Sequence, residues 1–227
     1  MRDATPSLPS LDLAGDGDDL ELIRAIELSF RLDFADSTLE WRTVGDVERA
    51  VLAAFGAGET PGKCATSMAF YRLRAALPAS AVSSRPHPAT RLRDLELGRS
   101  KAAFRAMARR TGFQLPGLQL SGVGAAGLVA IGLGLIGLLA LGAAPQLWPV
   151  LPAIPAGVLL ISLDPLDFGD MTLGDLSREV AARNFAALAK AGADRRPGAI
   201  WDTLRVLIAV VAEAPAPRIA RTTRLMA

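Results

Sequence analysis

An uncharged apolar stretch from Thr111 to Leu163 dominates the pattern of hydrophobic and polar positions along the chain. Its first arm reads SGVGAAGLVAIGLGLIGLLALG, over 121–142, and has the roughly 20 apolar residues that a helix needs to cross about 30 Å of hydrocarbon. The second arm, 148–163, is shorter and contains three prolines. Residues 143–146 between the arms are typical of a turn. The pattern predicts a helical hairpin in a bilayer, with a buried hairpin in a soluble protein as the alternative.

Apolar residues at helical spacing predict amphipathic helices on both sides of this stretch. Before it, helices are expected from Asp18, after Thr43 and from Cys64. After it, one helix is expected to follow Thr172 and end near Gly192, and the last to span 199–212. Thr43 and Thr172 are suited to be N-caps, because a threonine oxygen accepts from a free N–H of the first turn. The sequence therefore predicts an all-α protein with helical segments flanking a transmembrane helical hairpin.

The predicted boundaries divide the chain into six segments. They are a disordered N-terminal segment (1–17), a helical segment (18–77), a linker rich in Pro, Ser and Ala (78–90), a basic juxtamembrane helix (91–110), the hairpin (111–163) and a second helical segment (164–227).

Charge next to the hairpin predicts its orientation. Seven Lys or Arg residues lie between Arg91 and Arg110, against two acidic residues at Asp94 and Glu96. An excess of Lys and Arg beside a membrane segment marks the cytoplasmic side, and the turn between the arms carries no charge. We therefore expect both termini to be cytoplasmic, at a bacterial inner membrane. The basic helix is expected either to contact anionic lipid or to be an ordinary solvated face.

Bulk composition excludes several classes of function. The net charge is +2, so no global signature of nucleic-acid binding is present. One cysteine and one histidine exclude a disulfide framework and a Cys-rich metal site. The first twenty residues have no apolar core and five aspartates, which predicts the absence of a cleavable signal peptide. No cofactor, metal site or nucleic-acid partner is expected.

Small residues form a candidate packing ridge on the first arm. Gly122, Ala126, Ala130 and Gly134 are spaced by four. Ridges of small residues let helix backbones approach closely in lipid. The partner of this ridge is expected to be the second arm of the same hairpin, with another chain as the alternative.

A repeated motif occurs on either side of the hairpin. The segments TVGDVERAV, at 43–51, and TLGDLSREV, at 172–180, share T-[VL]-G-D-[VL]-x-R-x-V. The first follows ELIRAIE, at 21–27, and Phe30. In this order the chain resembles the acyl carrier protein family, in which an ELIxAIE-type helix and a TVGD-type helix start follow one another. The C-terminal segment WDTLRVLI, at 201–208, with Ile219 and TRL, at 223–225, looks like the first helix and the following loop of the same family.

The resemblance is partial and lacks the family's attachment site. Carriers hold phosphopantetheine on the serine of an Asp-Ser-Leu motif just before the ELIxAIE helix. Here that region reads DGDDL, at 16–20, and has no serine. The resemblance therefore implies a helical carrier-like surface without carrier chemistry. Arg24 and Glu27, on the ELIRAIE helix, are its candidate docking residues.

Candidate catalytic groups are few. A thiolate at Cys64 would be favoured by a helix start, but its general base would have to be His87, in the linker. Asp164, Asp167 and Asp170 follow the second arm and are expected to bind a cation or to solvate the membrane exit. We expect no catalytic residue.

These patterns lead to one functional expectation and two alternatives. The protein is expected to be a non-catalytic membrane scaffold or adaptor whose partners are the lipid bilayer and an acyl carrier protein or a carrier-dependent enzyme. The alternatives are an accessory subunit or enzyme that acts on lipid-linked acyl groups, and a structural membrane protein with relic carrier helices.

Overall fold

The computed structural model describes residues 8–13, 18–34, 41–77, 86–95, 101–117, 122–140, 152–163 and 168–226. The secondary structure of these parts of the chain is all-α, and their extended residues form isolated β-bridges rather than strands. The helices are α1 (Asp18–Phe30), α2 (Val44–Phe55), α3 (Ala65–Ala76), α4 (Lys101–Thr111), α5 (Gly122–Ala140), α6 (Ala153–Leu163), α7 (Leu173–Arg183), α8 (Phe185–Lys190) and α9 (Pro197–Val211). Short 3-10 helices occur at Leu92–Asp94 and Ala216–Arg218.

Both predicted threonine caps are confirmed. The hydroxyl of Thr43 accepts from the Asp46 N–H, and the Asp46 carboxylate accepts from the Thr43 N–H, which completes a capping box. Thr172 and Asp175 form the same box at the start of α7. The backbone N–H groups of Thr43 and Arg42 lower the pKa of Asp46 to about 2. The Thr172 hydroxyl is the main group that lowers the pKa of Asp175.

The helices outside α5 and α6 pack into two units. The outer unit consists of α1, α2 and α9 with residues 8–13 and 216–226, and the inner unit consists of α3, α4 and α7 with residues 86–95. Helix α8 lies between them, since Phe185 belongs to the outer core and Leu188 to the inner core. Helix α7 also packs against both α3 and α9, so the two units share one folded body.

This packing groups the segments differently from the predicted order. Within 18–77, α1 and α2 belong to the outer unit and α3 to the inner unit. Within 164–227, α7 belongs mainly to the inner unit and α9 to the outer unit. The two long segments are therefore interleaved, because contacts that are distant in sequence decide which apolar faces meet.

The two ends of the chain are hydrogen-bonded to each other in the outer unit. The N–H of Leu11 donates to the Arg224 carbonyl at 2.9 Å, and the N–H of Leu13 donates to the Leu225 carbonyl at 3.2 Å. Leu11, Leu13 and Leu225 are buried in the outer core. Residues 8–13, which were predicted to be disordered, are therefore ordered by pairing with the C-terminal segment. The remainder of 1–17 lies outside the described residues.

Three phenylalanine rings join helices from before and after the apolar stretch. The ring centroid of Phe30 lies 5.3 Å from that of Phe55 and 5.2 Å from that of Phe185, and the last two are 5.7 Å apart. Phe30 and Phe185 are almost completely buried. Aromatic pairs at such distances are favourable beyond their buried area. The outer core is thus built from residues on both sides of the apolar stretch.

The two units repeat one arrangement of backbone hydrogen bonds. In the outer unit, the first N–H groups of α2, at Val44 and Gly45, donate to the carbonyls of Thr223 and Arg221 at 3.0 and 2.9 Å. In the inner unit, the first N–H groups of α7 do the same. Those of Leu173 and Gly174 donate to the carbonyls of Thr90 and Pro88 at 2.8 and 2.7 Å.

The accepting turns also match one another. The Ala220 N–H donates to the Thr223 hydroxyl, as the His87 N–H donates to the Thr90 hydroxyl, each at 3.0 Å. The tripeptide Thr-Arg-Leu occurs in both turns, at 223–225 and at 90–92. The internal repeat therefore extends beyond the helix starts to the segments that pair with them.

Three further predictions are altered by the structure. In the predicted linker, 78–85 lies outside the described residues, whereas 86–90 is a turn bound to the start of α7. In the predicted basic helix, Leu92–Asp94 is a 3-10 helix, α4 begins at Lys101, and 96–100 lies outside the described residues. The helix predicted from Thr172 to Gly192 breaks at Asn184, whose side chain binds the backbone of Gln114 in both directions.

A buried carboxylate joins α2 to the C-terminal segment. Glu48 is 5% exposed, and both of its oxygens accept from the guanidinium of Arg221, with Arg221 Nη2 at 2.7 Å from Oε1. The same guanidinium lies over the ring of Trp201, with its carbon 4.4 Å from the ring centroid. Glu48, Arg221 and Trp201 therefore form an interlocked set in the outer unit.

We predict that Arg221→Met destabilises the protein by about 1–3 kcal/mol, because a buried carboxylate is left without its charged partner. Glu48→Gln combined with Arg221→Met should restore part of this loss, since the buried group is then neutral. Chemical unfolding followed by tryptophan fluorescence measures both. Equal stability of the single and the double variant would contradict the assignment of the cost to the unpaired charge.

Candidate membrane and docking surfaces

Helices α5 and α6 pack against each other in antiparallel directions through glycines. A Cβ added at Gly127 would lie 2.7 Å from the Gly157 carbonyl oxygen, and one added at Gly134 would collide with Ile154. The contact thus runs from 127 to 134 on α5 and backwards from 157 to 154 on α6. Such close backbone approach requires glycine. Pro155 is tolerated because it lies in the first turn of α6, where its missing N–H has no partner to lose.

The rest of the α5 surface is apolar and exposed. Its window Gly122–Leu139 has a mean hydropathy of 2.2 and is 22% buried. Leu139 is 85% exposed, Ile136 64% and Val129 62%. By length and composition, α5 is the one helix of the described chain that could cross a membrane. A helix of 19 residues is about 28 Å long, whereas α6, with 11 residues, is about 16 Å long.

Only one member of the predicted packing ridge lies in this contact. Gly134 meets α6, whereas a Cβ added at Gly122 would meet nothing within 4 Å. Ala126 is exposed and Ala130 is half-buried. A helix turns about 100° per residue, so positions four apart drift around its axis by about 40° per step. Gly122 and Gly134 therefore point about 120° apart. The contact instead follows the seven-residue step from Gly127 to Gly134.

The base of the α5–α6 pair is attached to the inner unit. The ammonium of Lys101, at the start of α4, donates to the carbonyl of Ile161 at 3.0 Å, in the last turn of α6. A cation at this place satisfies a carbonyl of the helix end. Arg105, Arg109 and Arg110 on α4 are exposed. Lys101 thus lies at the C-terminal end of α6, and the three exposed arginines follow it along α4.

The predicted acidic cluster is only partly described. Asp164 and Asp167 lie outside the described residues. Asp170 is 3.5 Å from Arg91 and 3.7 Å from Arg93, in exposed ion pairs that contribute little to stability. The described residues contain no group of three His, Cys, Asp or Glu that could hold a metal ion.

The candidate docking residues lie on α1 but differ in their environment. Arg24 is exposed, between Leu20 and Leu28, which are 67% and 52% exposed. These three residues are four apart and form one face of α1, called here the α1 face. Glu27 is half-buried, and its carboxylate accepts from the Phe34 N–H at 2.8 Å. Glu27 therefore closes the turn after α1, and Arg24 is the docking candidate that faces solvent.

Cys64 and His87 line different cavities. Cys64 is the N-cap residue of α3 and lies on a cavity of about 400 Å³ between α3, α7 and α9. Burial acts to raise the pKa of the Cys64 thiol, but hydrogen bonds from Ser67 and Thr66 outweigh it, so that the pKa is lowered. His87 lines a separate cavity with Tyr71 and Arg74. The pair that nucleophilic catalysis requires is therefore not assembled around one cavity.

Comparison of the chain with protein-family models, curated proteins and solved structures gives no match. Its surfaces must therefore be interpreted from their own chemistry.

Two further features of the sequence indicate these surfaces. One is the spacing of seven between Gly127 and Gly134, which keeps residues on one helix face better than a spacing of four. The other is the repeated Thr-Arg-Leu tripeptide, which marks the segments that pair with α2 and α7.

We predict that Gly127→Leu separates α5 from α6 and lowers stability by about 1–3 kcal/mol, the usual cost of overpacking. Gly132→Leu is the matched control, because a Cβ at Gly132 meets nothing within 4 Å and the gain in helix propensity is the same. Thermal unfolding in detergent should show a lower midpoint for Gly127→Leu than for Gly132→Leu. The packing assignment fails if the two midpoints agree.

Proposed function

We propose that the protein is a non-catalytic integral membrane scaffold, anchored by α5 and α6, that docks an acyl carrier protein or a carrier-dependent enzyme. The observation that carries the proposal is the exposed apolar surface of α5. The hydrophobic clusters of the remaining helices contain no residue of this helix. The proposal has three parts: the anchor, its orientation and the docking face.

The anchor is supported by the burial of α5. The core helix of a soluble protein is mostly covered by its neighbours, whereas the α5 window is 22% buried. Large exposed apolar patches on soluble monomers are rare and mark contact with protein or membrane. Lipid is favoured here because α5 carries no polar side chain, and its large apolar side chains are exposed where α6 does not cover them.

The shared core supports a return of the chain to its starting side. Phe30 and Phe55 precede α5, and Phe185 follows α6, yet their rings touch. In this proposal, the residues on both sides of α5 and α6 therefore lie on one side of the membrane. The chain then crosses an even number of times or enters and returns, which suits an antiparallel pair.

The basic side of the inner unit supports a cytoplasmic body. Exposed Arg105, Arg109 and Arg110 lie on the helix that leads into α5, and cytoplasmic flanks of membrane helices carry such an excess. We place the body, with both termini, on the cytoplasmic side of a bacterial inner membrane.

The α1 face supports the docking part. Two exposed leucines around Arg24 are an apolar surface with a cationic centre, which is suited to an acidic helical partner. The carrier resemblance agrees with this, because α9 and the C-terminal segment, which look like the first helix and loop of a carrier, pack against α1 and α2. In this proposal the outer unit keeps a carrier-like surface without the attachment serine.

An enzyme acting on lipid-linked acyl groups is the second candidate. It is favoured by the lowered pKa of Cys64 beside a cavity. The scaffold is preferred because His87, the sole histidine, lines a different cavity.

We predict that the protein stays in the pellet after an alkaline-carbonate wash of membranes, because α5 is held by hydrocarbon contact rather than by charge. Tags at both termini should be digested only after the inner membrane is opened, since both ends lie in one cytoplasmic core. Release into the wash would instead identify α5 and α6 as a protein-binding surface. Tags on opposite sides would contradict the even number of crossings.

We predict that Arg24→Glu weakens binding of purified acyl carrier protein to the detergent-solubilised protein by about tenfold, the effect of one charge-assisted contact. Arg224→Glu is the control, an exposed arginine on the same unit. Biosensor titration measures the affinity of each variant for acyl carrier protein. Cys64→Ala is a second control and should bind as the wild type does. Equal weakening by both arginine variants would show long-range charge rather than docking at α1.

A further inference from the structure

The repeat described above allows a position-by-position comparison of the two units. Glu48 and Ser177 are each five residues after the capping threonine. Arg221 and Pro88 each offer their carbonyl to the corresponding glycine N–H. Trp201 and Ser67 also correspond, because the residues two, three and six positions after each are buried. These are Thr203, Leu204 and Leu207 on α9 and Ala69, Phe70 and Leu73 on α3.

The corresponding places are filled differently. In the outer unit, the Arg221 guanidinium lies between the Trp201 ring and the buried Glu48 carboxylate. In the inner unit, the matching residues are Pro88, Ser67 and Ser177, all of which are smaller. Thus three interlocked large side chains are replaced by two serines and a proline. A cavity of about 540 Å³ lies there, lined by residues that include Ser67, Phe70, Tyr71, Arg74, His87 and Ser177.

Arg74 repeats one part of the outer unit's arrangement at this cavity, namely an arginine stacked on aromatic rings. Its guanidinium carbon lies 5.4 Å from the Phe70 ring centroid and 4.8 Å from that of Tyr71, as Arg221 lies over Trp201. Among the described residues, however, Arg74 has no carboxylate partner, and no acidic residue lines the cavity. An arginine stacked on aromatic rings is thus present without the carboxylate that Glu48 supplies in the other unit.

We propose that this inner-unit cavity binds a small organic anion. Its carboxylate or phosphate group pairs with Arg74, and its apolar part lies among Phe70, Tyr71 and Pro88. The volume lies within the range of small-molecule sites. Aromatic contact holds the guanidinium in place, which lowers the entropy lost when an anion binds, and arginine pairs with carboxylate and phosphate through two parallel hydrogen bonds. The site is independent of the α1 face and of the membrane anchor.

The chain contains a reporter at this site. Tyr71 is the sole tyrosine of the protein, so 3-fluorotyrosine labels the cavity wall alone. The experiment titrates the full-length labelled protein in detergent and follows its ¹⁹F signal. The probes are benzoate, benzamide and benzamidine, which carry the same ring with negative, zero and positive charge. Phenyl phosphate is the fourth probe and distinguishes a preference for phosphate from one for carboxylate.

We expect saturable shifts with benzoate or phenyl phosphate, and weaker binding of benzamide and benzamidine by about tenfold or more. Arg74→Gln should abolish this preference for anions. Arg72→Gln, the control two residues away on the same helix, should keep it, because Arg72 lies over Phe113, outside the cavity lining. Ser67→Trp, which places the outer unit's aromatic residue in the cavity, should block all four probes.

Two results would overturn the proposal. One is an ¹⁹F signal that does not respond to either anion up to its solubility limit. The other is equal binding of benzoate and benzamidine, which would show a nonspecific apolar surface. A loss of anion preference in Arg72→Gln equal to that in Arg74→Gln would likewise reject Arg74 as the anion partner. Melting curves of each variant establish that the comparison is made between folded proteins.

Discussion

The structure depends on one hydrophobic core that takes residues from both sides of an apolar stretch of about fifty residues. Phe30 and Phe55 come from before the stretch and Phe185 from after it, and their rings are in contact. This contact requires the chain to leave the body and return to it. The antiparallel pairing of α5 and α6 is the local solution, and Lys101 ties its base to the body through the Ile161 carbonyl.

Local chemistry made much of the helical structure predictable. Thr43 and Thr172 were identifiable as caps because each precedes an aspartate at the third helical position and an apolar stripe. The apolar character of α5 was evident from its uninterrupted run of uncharged, apolar residues. The partners of each helix were not predictable, because long-range packing decides them. Residues 8–13 have the composition of a loose tail, yet Leu11 and Leu13 are buried against the C-terminal segment.

The candidate sites show the same limit. Arg24 was correctly expected on a helix, but nothing local indicated that Glu27 would bind the Phe34 N–H. The small-residue ridge was predicted from a spacing of four residues. The observed contact between α5 and α6 follows a spacing of seven residues, which stays closer to one face of a helix. The cavity beside Arg74 could not be anticipated at all. It results from the loss of bulk at Ser67, Pro88 and Ser177 relative to another part of the same chain, and that comparison needs the pairing seen in three dimensions.

The pairing of Leu11 and Leu13 with Arg224 and Leu225 has a consequence for when the outer core can fold during synthesis. Translation adds roughly 5–20 residues per second, and about a hundred residues separate the start of α5 from Leu225. The outer core therefore stays incomplete for about 5–20 s after synthesis of α5 begins, because α1 and α2 are made before the segment that covers them. Loss of residues 223–225 would remove the segment that pairs with Leu11, Leu13 and Val44. Such a fragment should be recognised by chaperones or proteases rather than persist as a shorter working protein.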